Sequence, residues 1–86
     1  MMREEIQVKI PSGMEASPVA LLVQTANRYA SRIYLEYDNV RVNAKSIMGM
    51  MSLGVDYEER VTVETEGEDE AAAMEAMKQF LSQSGQ

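Results

Sequence analysis

The sequence predicts an α+β fold in which a four-stranded antiparallel sheet is covered on one side by three helices, in the order β-α-β-β-α-β-α. Four segments alternate apolar and polar residues, as strands with one buried face do. Two longer segments space apolar residues three and four apart, and a short apolar run lies between a serine and a glycine that suit helix ends. With 86 residues, we expect one core and a single domain spanning residues 1–86.

The first two elements are predicted near the N-terminus. Residues 6–10 alternate as a strand does, and the sequence Pro-Ser-Gly at residues 11–13 ends it. A helix follows, with its apolar stripe starting at Val19. Ser17 is its expected N-cap and Pro18 its first residue, because the first helical N–H has no acceptor within the helix.

The middle of the chain predicts a hairpin and a short helix. Residues 33–37 and 40–42 form two strands joined at Asp38 and Asn39, residue types that tolerate positive φ in tight turns. Ser46 then suits the N-cap of a helix of about two turns that ends at Gly54.

The last two elements are a strand and a helix. Residues 60–65 alternate again, and Gly67 ends the strand. The acidic residues 68–70 suit the first turn of a helix, where the macrodipole favours negative charge. Its apolar stripe consists of Ala73, Met74, Met77, Phe80 and Leu81.

Composition excludes several kinds of chemistry. The chain has no cysteine and no histidine. It therefore has no disulfide, thiolate nucleophile, phosphohistidine or imidazole metal ligand, and a reducing, cytoplasmic location is expected. We expect no metal and no cofactor. The net charge of −6 disfavours contact with nucleic acid, and no apolar run is long enough to span a membrane. A protein partner is the remaining expectation.

The chain resembles the HPr family of bacterial sugar-transport phosphocarrier proteins. The matching stretches are residues 12–14, 18, 22–26, 35–37, 42–49 and 51–54. The run Lys45-Ser46-Ile47-Met48-Gly49 is the most specific of them, and the resemblance extends over nearly the whole chain. It implies the HPr-like open-faced β-sandwich, which has the element order predicted above.

Two departures from the family bear on function. The phosphocarriers have a histidine before the first helix and an arginine shortly after it, whereas this chain has Glu15 and Ser17 at these positions. The chain thus resembles the Crh-type members of the family, which lack the histidine and are phosphorylated only on the serine. Those members, however, keep the arginine and have glutamine at the position of Glu15.

The resemblance implies a regulatory role without catalysis. Ser46 would be phosphorylated by a bifunctional HPr kinase/phosphorylase. Ile47, Met48 and Met51 would form an apolar surface for that kinase and for a CcpA-type repressor of the LacI class. The short helix also has more apolar residues than one buried face can hold, so some of them must face water. The phosphorylated chain would then act as a corepressor in carbon catabolite repression.

Several alternatives remain open. Glu15 is either a solvated loop carboxylate or a permanent weak mimic of the phosphorylated histidine. The lost arginine at Ser17, together with Gln24 and Asn27 where the phosphocarriers usually have lysines, keeps open an interaction module with another protein partner. A role as a phosphocarrier of the sugar phosphotransferase system is disfavoured. We expect a monomer, and the resemblance adds a strand-swapped homodimer with its hinge at residues 11–13.

Overall fold

The computed structural model describes residues 1–11 and 13–82, which form a four-stranded sheet with three helices. In chain order the elements are β1 (Met2–Gln7), α1 (Ala16–Ala26), β2 (Arg32–Tyr37), β3 (Val40–Asn43), α2 (Ile47–Met51), β4 (Arg60–Glu66) and α3 (Glu70–Leu81). The strands lie in the order β1-β4-β2-β3, and each neighbouring pair is antiparallel. The predicted fold class and order of elements are confirmed. Within the described residues, no helix is long and apolar enough to cross a membrane.

The core lies between the inner face of the sheet and the three helices. Alternate strand residues, such as Leu35 on β2 and Val63 on β4, are fully buried on this face. Leu22 on α1, Met50 on α2 and Met77 on α3 pack against them from the helical layer. Each helix is therefore anchored by at least one side chain that water does not reach.

The opposite, open face of the sheet is joined by charged side chains. The carboxylate of Glu64 on β4 accepts hydrogen bonds from Arg3 on β1 and, at 2.7 Å, from Arg41 on β3. Arg3 also donates to Glu36 on β2 at 2.9 Å. The Arg41 guanidinium lies 4.0 Å from the centre of the Tyr34 ring. The network connects both edge strands to the centre of the sheet.

The first strand differs from its prediction. β1 begins at Met2 rather than at residue 6, and it pairs with β4 as far as Gln7. The predicted alternation is present, since Ile6 and Val8 are buried. Beyond Gln7 the chain leaves the ladder, and the Lys9 N–H donates to the carbonyl oxygen of Leu81 at 2.7 Å. Charged residues 3–5 conceal the start of the strand. Arg3 and Glu5 lie on the open face, where charge is tolerated, and Glu4 lies on the helix side, where it forms an ion pair with Lys78 of α3 at 3.1 Å.

The predicted hairpin turn is confirmed. Asp38 and Asn39 join β2 to β3 with φ values of 53° and 66°, as a two-residue hairpin requires.

The carboxylate of Asp69, before α3, accepts hydrogen bonds from the N–H groups of Ala30 and Ser31 at 2.9 Å each, and from the Ser31 hydroxyl. The Ser31 hydroxyl is the main cause of a lowered pKa at Asp69. This acid therefore fixes the turn between α1 and β2 rather than capping its own helix.

Candidate functional site

Ser46 is the N-cap of α2, as predicted. Its backbone is extended, with φ −110° and ψ 113°, and its Oγ accepts a hydrogen bond from the Gly49 N–H at 3.1 Å. Its carbonyl oxygen accepts the first intrahelical bond, from the Met50 N–H at 2.9 Å. The residue is exposed. The hydroxyl is thus held in one place and remains accessible from solvent.

The loop that leads to Ser46 is fixed by local and distant contacts. The Ser46 N–H donates to the carbonyl oxygen of Asn43 at 3.0 Å, and the Asn43 side-chain oxygen accepts the Lys45 N–H at 2.8 Å. This is an Asx turn, in which a side chain replaces a backbone acceptor. The Lys45 ammonium lies 2.7 Å from the carbonyl oxygen of Tyr29, in the turn after α1.

An apolar surface lies directly beside Ser46. The exposed fractions of Ile47, Met48 and Met51 are 47%, 82% and 47%, and we call these three side chains the α2 patch. Met50 and Leu53 turn inward and are buried. The expectation that part of this run faces water is confirmed. The role of the α2 patch in binding a partner stays a prediction.

The start of α1 was predicted wrongly. The helix begins at Ala16 with Glu15 as its N-cap, whereas Ser17 was the expected cap and Pro18 the expected first residue. The Val19 N–H donates to the carbonyl oxygen of Glu15 at 2.9 Å, which sets the start earlier. Proline is still tolerated, because none of the first residues of a helix has an intrahelical acceptor for its N–H. The Glu15 side chain makes no capping hydrogen bond.

The loop before α1 is joined to the segment that follows α2. The Met14 N–H donates to the carbonyl oxygen of Val55 at 2.9 Å. A Cβ at Gly13 would lie 2.8 Å from that same oxygen, so only glycine permits this approach. Glu15, the next residue after Met14, is thereby brought to the end of the fold at which α2 leads into Val55. Ser12, in the predicted hinge at residues 11–13, lies outside the described residues.

Two further surface features were not predicted. Leu21 on α1 is 55% exposed, and α1 packs against α2. An apolar residue outside the buried stripe of α1 was the available signal. The second feature is the contact between the Lys45 ammonium and the carbonyl oxygen of Tyr29. It has no comparable signal, because the two residues lie sixteen positions apart in the sequence. A groove of about 480 Å³ between α1 and α3 contains none of the predicted site residues.

The face of α1 that follows Ser17 has little charge. Gln24 and Asn27 are exposed and neutral, and α1 has no acidic residue in its first turn and no basic residue in its last turn. The Asn27 side chain donates to the carbonyl oxygen of Val23 at 3.0 Å, so it closes the end of its own helix. Attraction of an acidic partner to this face is therefore weak.

Comparison with known proteins gives consistent matches. The family model described as the PTS HPr component phosphorylation site matches residues 2–83. The HPr-like protein Crh of Halalkalibacterium halodurans is 48% identical over 81 residues, which are 94% of this chain and 96% of that protein.

Solved structures agree with the sequence matches. The phosphocarrier protein HPr from Bacillus anthracis superimposes with a TM-score of 0.91 at 42% identity, covering 93% of this chain and 95% of its own. Crh of Bacillus subtilis superimposes with a TM-score of 0.79 at 42% identity, covering 100% of this chain and 99% of its own. That crystal structure of Crh is a domain-swapped dimer.

Proposed function

This chain belongs to the HPr family, and from that premise we propose that it is a regulatory phosphoprotein of carbon catabolite repression. An HPr kinase/phosphorylase phosphorylates Ser46. The phosphorylated protein then acts in the cytoplasm as corepressor of a CcpA-type repressor, which it contacts through the α2 patch. It catalyses no reaction and touches no DNA. The active form is a monomer or a strand-swapped homodimer, the latter as in the domain-swapped crystal structure of Crh of Bacillus subtilis.

One observation carries this proposal: the chain has no histidine, yet it retains an exposed serine at the N-cap of α2. Histidine phosphotransfer has no acceptor in such a chain. Glu15 occupies the corresponding position, and within the described residues its carboxylate has no cationic partner. A phosphate on that carboxylate would lack an activating group. Ser46 is left as the acceptor.

The surroundings of Ser46 suit a phosphate. The first intrahelical bond of α2 runs from Met50 to Ser46, so the N–H groups of Ile47 and Met48 precede it and point toward the start of the helix. The helix dipole adds positive potential at this end. A phosphate adds a charge of about −1.5 to −2 at neutral pH. Phosphorylation therefore strengthens the start of α2 and requires no unfolding.

The α2 patch supplies the second half of the recognition surface. Exposed methionine adapts its shape to a partner, and the new charge lies within two residues of Met48. A repressor that reads both features binds the phosphorylated form more tightly than the unmodified form. If its DNA-competent state has the higher affinity, corepressor binding shifts the repressor toward that state.

Phosphorylation is tested with purified HPr kinase and ATP, followed by intact mass and peptide mapping. We expect one phosphate, located on Ser46, and none on the Ser46→Ala variant. Ser52→Ala is the matched control, since Ser52 is exposed at the other end of α2 and its hydroxyl donates to the carbonyl oxygen of Gly49 at 2.7 Å. An unmodified wild type, or a phosphate elsewhere, would refute the proposal.

Corepression is tested by measuring the affinity of a CcpA-type repressor for three forms of the protein. Phosphorylated wild type should bind most tightly, while unmodified wild type and Ser46→Ala should bind weakly. Equal affinity for all three forms would eliminate the corepressor role and leave phosphorylation standing as a separate result.

The neutral face of α1 favours a second candidate, an HPr-fold module that binds a different protein. Ser17 supplies no cation to a phosphate or to an acidic partner. If the phosphorylated wild type fails to bind the repressor and Ser17→Arg restores binding, the chain has been redirected to another partner.

Label transfer from phosphoenolpyruvate through enzyme I tests the phosphocarrier role, which requires label on the wild type. Glu15→His combined with Ser17→Arg is its positive control.

A further inference from the structure

Methionine supplies all the sulfur of this protein, which has eight methionines and no cysteine. Four of the eight side chains are buried, namely those of Met14, Met50, Met74 and Met77. Exposed methionine occurs at the N-terminus, where Met1 lies, and on α2. On α2, Met48 is 82% exposed and Met51 is 47% exposed. The most accessible thioether of any helix or strand is therefore two residues from Ser46.

Exposure determines which thioethers a dissolved oxidant reaches. A peroxide transfers one oxygen atom to the sulfur: the S–O bond forms, the O–O bond breaks, and water leaves when the peroxide is hydrogen peroxide. The thioether is oxidised by two electrons and the peroxide is reduced by two. The reaction needs no catalytic group on the protein. Met48 meets its one requirement, which is access.

We propose that Met48 is a sulfoxidation site through which peroxides weaken partner binding at the α2 patch. The proposal rests on the proposed function, because that function assigns the α2 patch to the repressor. A sulfoxide is polar, so a docked partner would remove it from water without supplying a hydrogen-bond donor. We expect the affinity of the Ser46-phosphorylated protein to fall about tenfold or more.

Oxidation at this position leaves the fold intact. α2 is anchored by Met50, which is fully buried on the opposite side of the helix. Its N-cap bond joins Ser46 Oγ to the Gly49 N–H and does not involve the side chain of Met48. Phosphorylation and sulfoxidation are thus two independent modifications of one short helix, and they change partner affinity in opposite directions.

The site is tested by exposing the folded, Ser46-phosphorylated protein to dilute hydrogen peroxide and following each methionine by peptide mapping. Met48 should gain one oxygen atom before Met51 does. Met50, Met74 and Met77 should remain unmodified while circular dichroism shows an unchanged fold. Oxidation of Met50 before Met48, or loss of helical signal when Met48 is oxidised, would overturn the proposal.

The consequence is tested by measuring repressor affinity before oxidation, after oxidation, and after repair by methionine sulfoxide reductases that act on both sulfoxide epimers. Affinity should fall and then return. Met48→Leu keeps an apolar side chain of similar volume without oxidisable sulfur, so its affinity should survive peroxide treatment. Met51→Leu is the matched control and should lose affinity as the wild type does. Equal sensitivity of Met48→Leu and wild type would refute the role of Met48.

Failure of the proposed function has a different outcome. In that case the phosphorylated, unoxidised protein does not bind the repressor at all, and retention on a phenyl matrix then reports the apolar character of the α2 patch. Oxidation should shorten retention of the wild type clearly more than that of Met48→Leu, in which only the remaining exposed methionines react. Unchanged retention of the oxidised wild type would overturn the inference whatever the partner is.

Discussion

The ammonium of Lys45 lies 2.7 Å from the carbonyl oxygen of Tyr29. This carbonyl belongs to the turn in which α1 ends, since the Tyr29 N–H donates to Ala26 at 3.2 Å. A cation is favourable at the C-terminal end of a helix, and α1 has no basic residue in its own last turn. Lys45, the residue before Ser46, therefore supplies this cation and joins the loop before α2 to the end of α1.

Replacing Lys45 by methionine should lower the free energy of unfolding by about 1 to 2 kcal/mol, because a charged hydrogen bond to a backbone acceptor is lost. Urea denaturation of wild type and variant measures this difference. Arg28→Met is the matched control, since Arg28 is exposed and forms no ion pair with any residue that the structure describes. An equal loss in both variants would show that the Lys45 contact contributes nothing specific.

Two variants of Ser46 test its role as a helix cap independently of its proposed role as a phosphate acceptor. Ser46→Ala removes the acceptor of the Gly49 N–H and should cost about 1 kcal/mol. Ser46→Asp keeps an acceptor and places negative charge at the start of α2, so its stability should equal or exceed that of the wild type. Thermal unfolding measures both. A loss in Ser46→Asp as large as that in Ser46→Ala would contradict the cap geometry.

Two glycines with the same backbone angle test the contact between the loop before α1 and the segment after α2. Gly13 and Gly54 both have φ +68°, but a Cβ at Gly13 would lie 2.8 Å from the carbonyl oxygen of Val55, whereas one at Gly54 would have no atom of the described residues within 4 Å. Gly54→Ala should cost about 1 kcal/mol from backbone strain alone. Gly13→Ala should cost clearly more in denaturant unfolding, and equal costs would mean that the loop moves away freely.

Local sequence signals predict much of this fold. The hairpin at Asp38 and Asn39 and the N-cap at Ser46 each depend on a few adjacent residues whose backbone preferences are strong. That some apolar residues of α2 face water follows from counting them in a helix too short to bury them all, whereas the choice of the three residues of the α2 patch came from the family resemblance. These features need no knowledge of distant parts of the chain.

Features that depend on distant partners were beyond such reasoning. β1 begins at Met2 because β4 continues to pair with it, and charged residues there hide the alternation. α1 begins two residues earlier than a cap at Ser17 suggests, because the chain enters it through the contact between Met14 and Val55. The bond from Lys45 to Tyr29 likewise joins residues that become neighbours only in the folded protein.

The open face of the sheet gives the protein a pH-dependent contribution to stability. The hydrogen bond from Arg3 is the main cause of a lowered pKa at Glu64, and Arg41 adds to it. A carboxyl whose pKa is lower in the folded state stabilises the fold above its unfolded pKa, about 4.3. That contribution is lost as the pH falls through the lower, folded pKa. Acid should therefore remove the stabilisation that Glu64 provides at neutral pH.

Glu64→Gln removes this charge while keeping the shape of the side chain. At neutral pH the variant should unfold at a lower urea concentration than the wild type, and the difference should shrink as the pH falls below about 4. Glu66→Gln is the control on the same strand, since Glu66 is exposed and has no ion pair among the described residues. Its stability at neutral pH should change by less than about 0.5 kcal/mol. If the two arginines stabilise the ionised Glu64 carboxylate, protonation must remove that stabilisation. A difference between wild type and Glu64→Gln that stays constant from pH 7 to pH 3 would therefore contradict the role of the arginines.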